Sequence, residues 1–126
     1  MTARFSLFSS LIAVALLGLP VVVQAASFKE LSGQGYKVGA LSSNKAGIRG
    51  WNLSKGSDRY FCEMSATMAY SGKNGMVSFT SAGRMISLDR NTVEKRLGGS
   101  LDLPKYEDLK AGRLRADDVG SCRKVT

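Results

Sequence analysis

One tetrapeptide of the sequence has residue types that could support covalent catalysis. Ser42-Ser43-Asn44-Lys45 matches the Ser-x-x-Lys pattern of serine acyl-enzymes, in which the lysine must reach the serine from one helical turn away. The companion Ser-Asp-Asn and Lys-Thr-Gly motifs are absent from the chain. The tetrapeptide also lies where a strand is expected to enter a turn. We therefore expect no catalytic role for Ser42 or Lys45.

Neighbouring acids and a pair of methionines suggest two further chemistries. Glu107-Asp108 and Asp117-Asp118 are adjacent in sequence, so their side chains diverge, and solvated surface acids are favoured over a general acid–base pair. Met64 and Met68 could ligate a soft metal such as Cu(I). On one strand, however, they would lie ~13 Å apart and could not share an ion. We predict no catalytic residue, no metal site and no cofactor.

The histidine and cysteine counts limit the chemistry further. The 126-residue chain has no histidine, which removes the commonest catalytic base and metal ligand. Its two cysteines, Cys62 and Cys122, cannot form a four-thiolate zinc site or an iron–sulfur cluster. Without Cys-x-x-Cys spacing, a structural disulfide is favoured over a reactive thiol pair. Closing this long loop would contribute about 4 kcal/mol in the chain-entropy model.

The chain is basic, with 18 Lys and Arg against 10 Asp and Glu and a net charge of +8. The excess is spread over both halves without a run of five like charges, so solubility and weak surface attraction would explain it. The alternative is an anion-binding patch near the C-terminus, which a Cys62–Cys122 disulfide would help to assemble. Its candidate residues are Lys110, Arg113, Arg115, Arg123 and Lys124.

The first 25 residues have the features of a secretory signal peptide. Arg4 gives a positive start, residues 11–19 form an uncharged apolar run, and Pro20 ends it. Val23-Gln24-Ala25 follows as the predicted cleavage signal, with cleavage before Ala26. The run is shorter than the ~20 residues of a membrane anchor. The expected product is one globular domain, residues 26–126, that is periplasmic or secreted and has no transmembrane segment.

Alternating apolar and polar residues predict strands from Tyr36 to about Asp89. The clearest pattern covers Tyr60–Tyr70, where six alternate apolar positions predict one long half-buried strand with Cys62 pointing inward. An Asn74-Gly75 pair after it favours a tight hairpin. Further strands are predicted at Tyr36–Ser42, Ile48–Leu53, Met76–Thr80 and Met85–Leu88. Short polar turns between them predict an antiparallel β-meander of about five strands, as a curved sheet or small partial barrel.

Helical patterning replaces alternation in the C-terminal third. Asn91–Leu97 predicts two helical turns with Asn91 as the cap, and Asp102–Ala111 predicts a second helix capped by Asp102. Ser27–Leu31 is a candidate leading helix. The predicted fold class is therefore α+β, with a meander followed by short helices.

Four short segments give the chain a resemblance to a group of small exported alphaproteobacterial proteins of unknown function. They are Gly35-Tyr36, Leu53-Ser54-Lys55-Gly56, Tyr60-Phe61-Cys62 and the late Cys122. The resemblance covers roughly residues 35–62 and the final cysteine. It implies export and no particular activity.

A second resemblance is to the periplasmic inhibitors of C-type lysozymes. Tyr60-Phe61-Cys62 and Ser81-Ala82-Gly83-Arg84 are similar to the strand cysteine and the Ser-Gly-x-Arg/Lys loop of that family. The family's Trp-x-Lys-Gly motif follows these segments, whereas the segment from Trp51 to Gly56 precedes them here. A basic inhibitor would also be repelled by a basic lysozyme.

Together these patterns predict a small exported protein that is not an enzyme and has a binding or structural role at the cell envelope. The expected partner is an anionic envelope polymer or an envelope protein, and export argues against nucleic acid. The alternative function is inhibition of a lysozyme.

Overall fold

The computed structural model describes residues 25–81 and 83–125. The predicted signal segment lies outside this range apart from Ala25, and so does Ala82 of the Ser81–Arg84 loop. The described strands are β1 (Ala25–Ala26), β2 (Lys37–Val38), β3 (Ser42–Ser43), β4 (Arg49–Lys55), β5 (Asp58–Met64), β6 (Met68–Ser71), β7 (Gly75–Phe79), β8 (Met85–Asp89) and β9 (Val119–Lys124). The helices are α1 (Phe28–Gly33), α2 (Arg90–Leu97) and α3 (Tyr106–Ala111), with a 3₁₀ turn at Ala116–Asp118.

The strands form two antiparallel sheets. In the large sheet the order is β1-β9-β5-β4, and β2 and β3 both pair with the far side of β4. The small sheet has the order β6-β7-β8. These antiparallel sheets with few helices agree with the predicted α+β class, although the prediction placed the strands in one meander. The last strand, β9, lies between the first strand and β5, a pairing that local alternation cannot reveal.

A disulfide joins the middle of the large sheet to its last strand. Cys62 of β5 and Cys122 of β9 are register partners and are bonded to each other. Both are buried, and no described cysteine is free. The predicted disulfide is therefore confirmed in the structure.

The long strand predicted over Tyr60–Tyr70 is divided between the two sheets. β5 ends at Met64 and β6 begins at Met68. Between them Ser65 leaves the ladder: its backbone N–H donates to the carbonyl of Asp118 at 2.9 Å, and its hydroxyl donates to that of Asp117 at 2.7 Å. The β5–β9 register also shifts between Cys62 and Met64. These bonds redirect the chain, and Ala69 rather than Met68 or Tyr70 joins the core, so the predicted apolar face does not continue to Tyr70.

The core lies between the inner faces of the sheets and two of the helices. Its buried members are Leu31 of α1, Trp51 and Leu53 of β4, Cys62, Ala69, Val77, Leu109 of α3 and Cys122. The indole N–H of Trp51 donates to the carbonyl of Leu109 at 2.8 Å, so the largest buried side chain also satisfies its polar atom. This bond fixes α3 against β4.

The helices begin at residues other than those predicted. Asp89, not Asn91, caps α2, because its carboxylate accepts the Thr92 N–H at 2.9 Å. The helix predicted from Asp102 begins at Tyr106. Upstream of it the Pro104 carbonyl accepts the Tyr70 N–H at 2.9 Å, which keeps the chain extended beside β6. Within residues 25–81 and 83–125, none of the helices has the length and apolar character needed to cross a membrane.

Candidate anion-binding groove

The outer face of the large sheet carries a row of side chains across three strands. Trp51, Leu53 and Cys62 point into the core, so the pleat turns the intervening residues outward. Asn52 of β4 is the register partner of Phe61 of β5, and Phe61 is that of Arg123 of β9. An amide, an aromatic ring and a guanidinium therefore stand side by side on this face.

Phe61 forms an apolar floor on this outer face. It is 8% exposed yet does not belong to the core cluster. Its ring lies over Gly50, where an added Cβ would be 2.9 Å from Phe61 Cζ and would overlap the carbonyl oxygen of Cys62. The absence of a side chain at Gly50 thus makes room for the ring to lie against the sheet. Phe61 closes the groove from below without joining the interior.

A tight turn forms one wall of the groove. The Asn44 side-chain oxygen accepts the N–H groups of Ala46 at 3.0 Å and Ile48 at 2.9 Å, and the Asn44 N–H donates to the Ile48 carbonyl at 2.9 Å. An asparagine that bonds backbone groups two and four residues later holds a turn in one conformation. The turn places the exposed Lys45 at the rim.

The resulting concavity has a volume of about 590 Å³, within the range of ligand-binding clefts. Its lining residues are Ser43, Asn44, Lys45, Ala46, Asn52, Phe61, Glu63, Ser121, Arg123, Lys124 and Val125.

Positive charge exceeds negative charge in this lining. Lys45, Arg123 and Lys124 are cationic, and Glu63 is the one acid among the described lining residues. Lys124 Nζ lies 3.8 Å from Asp58 Oδ1. In the part of the chain that the structure describes, Lys45 and Arg123 have no carboxylate within 4.0 Å. Two cations over an apolar floor therefore remain available to an anion.

The five residues of the predicted patch do not line one concavity. Arg123 and Lys124 line the groove, whereas Lys110, Arg113 and Arg115 line three other concavities. The Nζ of Lys110 stacks 4.7 Å from the centre of the Tyr106 ring. The disulfide brings β9 to β5, but it does not bring Lys110, Arg113 or Arg115 into the lining of the groove.

The two other arginines of that set are already neutralised by acids. Arg113 Nη2 lies 2.8 Å from Asp108 Oδ1. Arg115 bonds Asp118 at 3.2 Å and Asp102 at 2.8 Å, and these hydrogen bonds raise the pKa of its guanidinium. Asp102, predicted as a helix cap, therefore serves as an ion-pair partner.

The other residues considered as catalytic or metal-binding candidates have structural roles. Ser42 and Ser43 form β3, so the Ser-x-x-Lys tetrapeptide spans a strand and a turn. The Glu107 carboxylate accepts the Gly72 N–H at 3.2 Å, and its backbone hydrogen bonds lower its pKa. Met64 and Met68 end and begin different strands. No group of three potential metal-ligating acids or cysteines occurs among the described residues.

Sequence reasoning missed several members of the groove: Lys45, Asn52, Phe61 and Glu63. The available signal for Asn52, Phe61 and Glu63 was the outward half of the alternation in β4 and β5, whereas nothing in the sequence places Lys45 beside them. A buried phenylalanine at an outward position indicates that something covers that face, but only the fold shows it.

No match to this chain was found among protein-family models, curated proteins or solved structures.

Proposed function

We propose that this protein is exported and, without catalysing a reaction, binds an acidic polysaccharide strand of the cell envelope in the outer-face groove. The observation that carries the proposal is the placement of Lys45 and Arg123, both without carboxylate partners among the described residues, on the rim above Phe61.

The shape of the site favours a polymer strand over a membrane surface. The two cations stand beside a concavity of about 590 Å³, so a ligand that fills the concavity can contact both of them. A single glycan strand that carries carboxylates can enter, and its sugar faces can contact the apolar floor. A flat lipid surface would contact the cations on the rim but would leave the concavity unfilled. Lys124 remains close to Asp58 and adds less to the attraction.

Export and a binding role are proposed on two grounds. The Cys62–Cys122 disulfide supports export, because disulfides persist in oxidising compartments. The chain has no histidine, and the groove offers hydrogen-bonding and charged groups without a second acid beside Glu63 in the described lining. These features suit recognition of a ligand.

The test begins with the chain recovered from the periplasmic fraction, whose N-terminal residue is expected to be Ala26. Binding is measured to peptidoglycan sacculi and to polygalacturonate at low and high salt, and to phosphatidylglycerol vesicles. We expect salt-sensitive binding to a polysaccharide probe, about tenfold weaker in Arg123→Gln. The matched control is Arg96→Gln on α2, which removes the same charge from a remote exposed position and should retain the affinity.

Three results would contradict the proposal. Equal losses in the two variants would indicate attraction by net charge alone. Binding to the vesicles but to neither polysaccharide would assign the protein to lipid. If the chain is found in the cytoplasm and retains Met1, the export part of the proposal is wrong. The binding data would still test the groove.

A further inference from the structure

The free edge of the small sheet differs from the other strand edges described. β1, β2 and β3 have two residues each, and β6 is bridged along its outer side by Lys105 at Tyr70. β8 has five residues and, among residues 25–81 and 83–125, pairs only with β7. It is the long open edge of the described fold.

The hydrogen bonds that flank β8 show which of its peptide groups face outward. The Thr80 N–H donates to the Arg84 carbonyl at 2.8 Å, and the Arg90 N–H donates to that of Asn74 at 3.0 Å. Both pairs continue the β7–β8 register. Because bonded and non-bonded pairs alternate in an antiparallel ladder, the even-numbered residues of β8 bond β7. The peptide groups of Met85 and Ser87 and the N–H of Asp89 therefore face away from it.

The β8 edge also lacks the features that normally prevent an edge strand from pairing with another chain. Proteins discourage edge pairing with lysine, proline or a bulge. β8 contains neither residue type, and its register with β7 runs without a shift. Met85 is 43% exposed and Ile86 is 48% exposed, so an added strand could pack against apolar side chains on both faces of the sheet.

Charge decides what could occupy the edge. Arg84 precedes β8, is exposed, and has no carboxylate within 4.0 Å among the described residues. Two copies paired antiparallel about Ser87 would place Arg84 of one copy opposite Arg90 of the other, which Glu94 already pairs at 3.1 Å, so this pairing offers Arg84 no acid of its own. A strand with an acid at that position would be attracted instead.

We infer that β8 receives an extended acidic segment of another protein, which adds to the small sheet as a fourth strand. The segment alternates apolar and polar residues and places a carboxylate opposite Arg84. Backbone bonds to Met85, Ser87 and Asp89 supply affinity, and the side chains supply specificity. This site is separate from the groove and does not rest on the proposed function.

The probe is a blocked hexapeptide of alternating valine and threonine with glutamate at its C-terminal end, which an antiparallel fourth strand places opposite Arg84 and away from Asp89, compared with the same peptide ending in lysine. We expect the acidic peptide to bind the exported, purified chain with a dissociation constant below about 1 mM, and the basic peptide to bind at least about tenfold more weakly. Amide NMR signals of Met85, Ser87 and Asp89 should shift, and their hydrogen exchange should slow.

Two variants test the edge directly. Ser87→Pro removes an N–H that faces outward and leaves the β7 bonds in place, so the acidic peptide should bind at least about tenfold more weakly. Ser87→Ala keeps the N–H and should retain the affinity. Thermal unfolding checks that both variants fold. If Ser87→Pro does not fold, Arg84→Glu provides the test, because it should reverse the preference toward the lysine-ended peptide.

Three outcomes overturn the inference: no binding of the acidic peptide at about 1 mM, amide shifts confined to residues outside 84–90, or equal affinity of the two Ser87 variants. A concentration-dependent dimer that protects the Met85 and Ser87 amides would also overturn it, since a second copy would then occupy the edge.

Discussion

Asp118 shows how one buried charge can hold two parts of this fold together. Its carboxylate is 2% exposed. It accepts the backbone N–H of Arg115 at 3.0 Å and the guanidinium of the same residue at 3.2 Å. Its own carbonyl accepts the N–H of Ser65 at the end of β5. The residue thus shapes the 3₁₀ turn and fixes that turn to the point where the chain passes between the sheets.

We predict that Asp118→Ala lowers the free energy of unfolding by about 1–3 kcal/mol, since it leaves partly buried donors of Arg115 without an acceptor. Urea denaturation monitored by circular dichroism measures the change. Asp117→Ala is the matched control, because the Asp117 side chain is exposed and its loss should change stability by less than about 0.5 kcal/mol. Equal costs for the two substitutions would show that the Asp118 contacts contribute nothing specific.

At the scale of elements, the aspartate that ends β8 also caps the start of α2. The Asp89 carboxylate accepts the N–H of Thr92 at 2.9 Å and its hydroxyl at 2.8 Å. These hydrogen bonds lower the pKa of Asp89 below 3.8. A carboxyl with a lower pKa in the folded chain stabilises the fold above its unfolded pKa, and this contribution is lost as the pH falls through the folded value.

We therefore predict that the Asp89 carboxyl titrates in the folded protein with a midpoint below 3.8, as measured by carbon NMR. The protection of the Thr92 amide against hydrogen exchange, relative to its intrinsic rate at the same pH, should fall as that group becomes protonated. Asp89→Asn keeps an acceptor at the cap and should remove this pH dependence. A midpoint at or above 3.8 would contradict the capping role. So would a Thr92 amide whose protection does not change during the titration.

Elements defined by local pattern could be predicted from the sequence, and those defined by distant contacts could not. Alternation placed Cys62 on the inner face of β5 correctly, because a strand with one buried face must alternate. It could not show that the strand breaks at Ser65, since the cause is a bond to Asp118 far along the chain. The start of α3 was misplaced for the same reason: β6 holds Pro104 extended.

The candidate site was predictable only in part. Arg123 and Lys124 were chosen because basic residues follow Cys122 and the disulfide returns them to the sheet. Lys45 joins them from a turn whose position depends on the pairing of β3 with β4. Arg113 and Arg115 are excluded by acids that no sequence spacing identifies as partners. A site assembled from three separated segments needs the topology before its members can be recognised.

At the scale of the whole molecule, the disulfide constrains the unfolded chain more than it shapes the folded one. Its cysteines are 60 positions apart and buried. We predict that Cys62→Ala combined with Cys122→Ala lowers the free energy of unfolding by about 4 kcal/mol. Equilibrium unfolding in urea measures it, and the wild-type chain reduced in denaturant and refolded with its thiols blocked should show a similar loss. Unchanged stability in both forms would contradict this role.

The position of β9 also sets the order in which the molecule can be completed. The large sheet places β9 between β1 and β5, so these two strands lack one neighbour until residues 119–124 are available. A chain emerging from the ribosome cannot finish this sheet, because long-range pairings form only when both partners are present. The hairpins β4–β5, β6–β7 and β7–β8 need no residue of β9 and can form earlier. Because Cys122 lies on β9, the bond to Cys62 can form only after that segment is available, so the disulfide locks a sheet whose central strands are already paired.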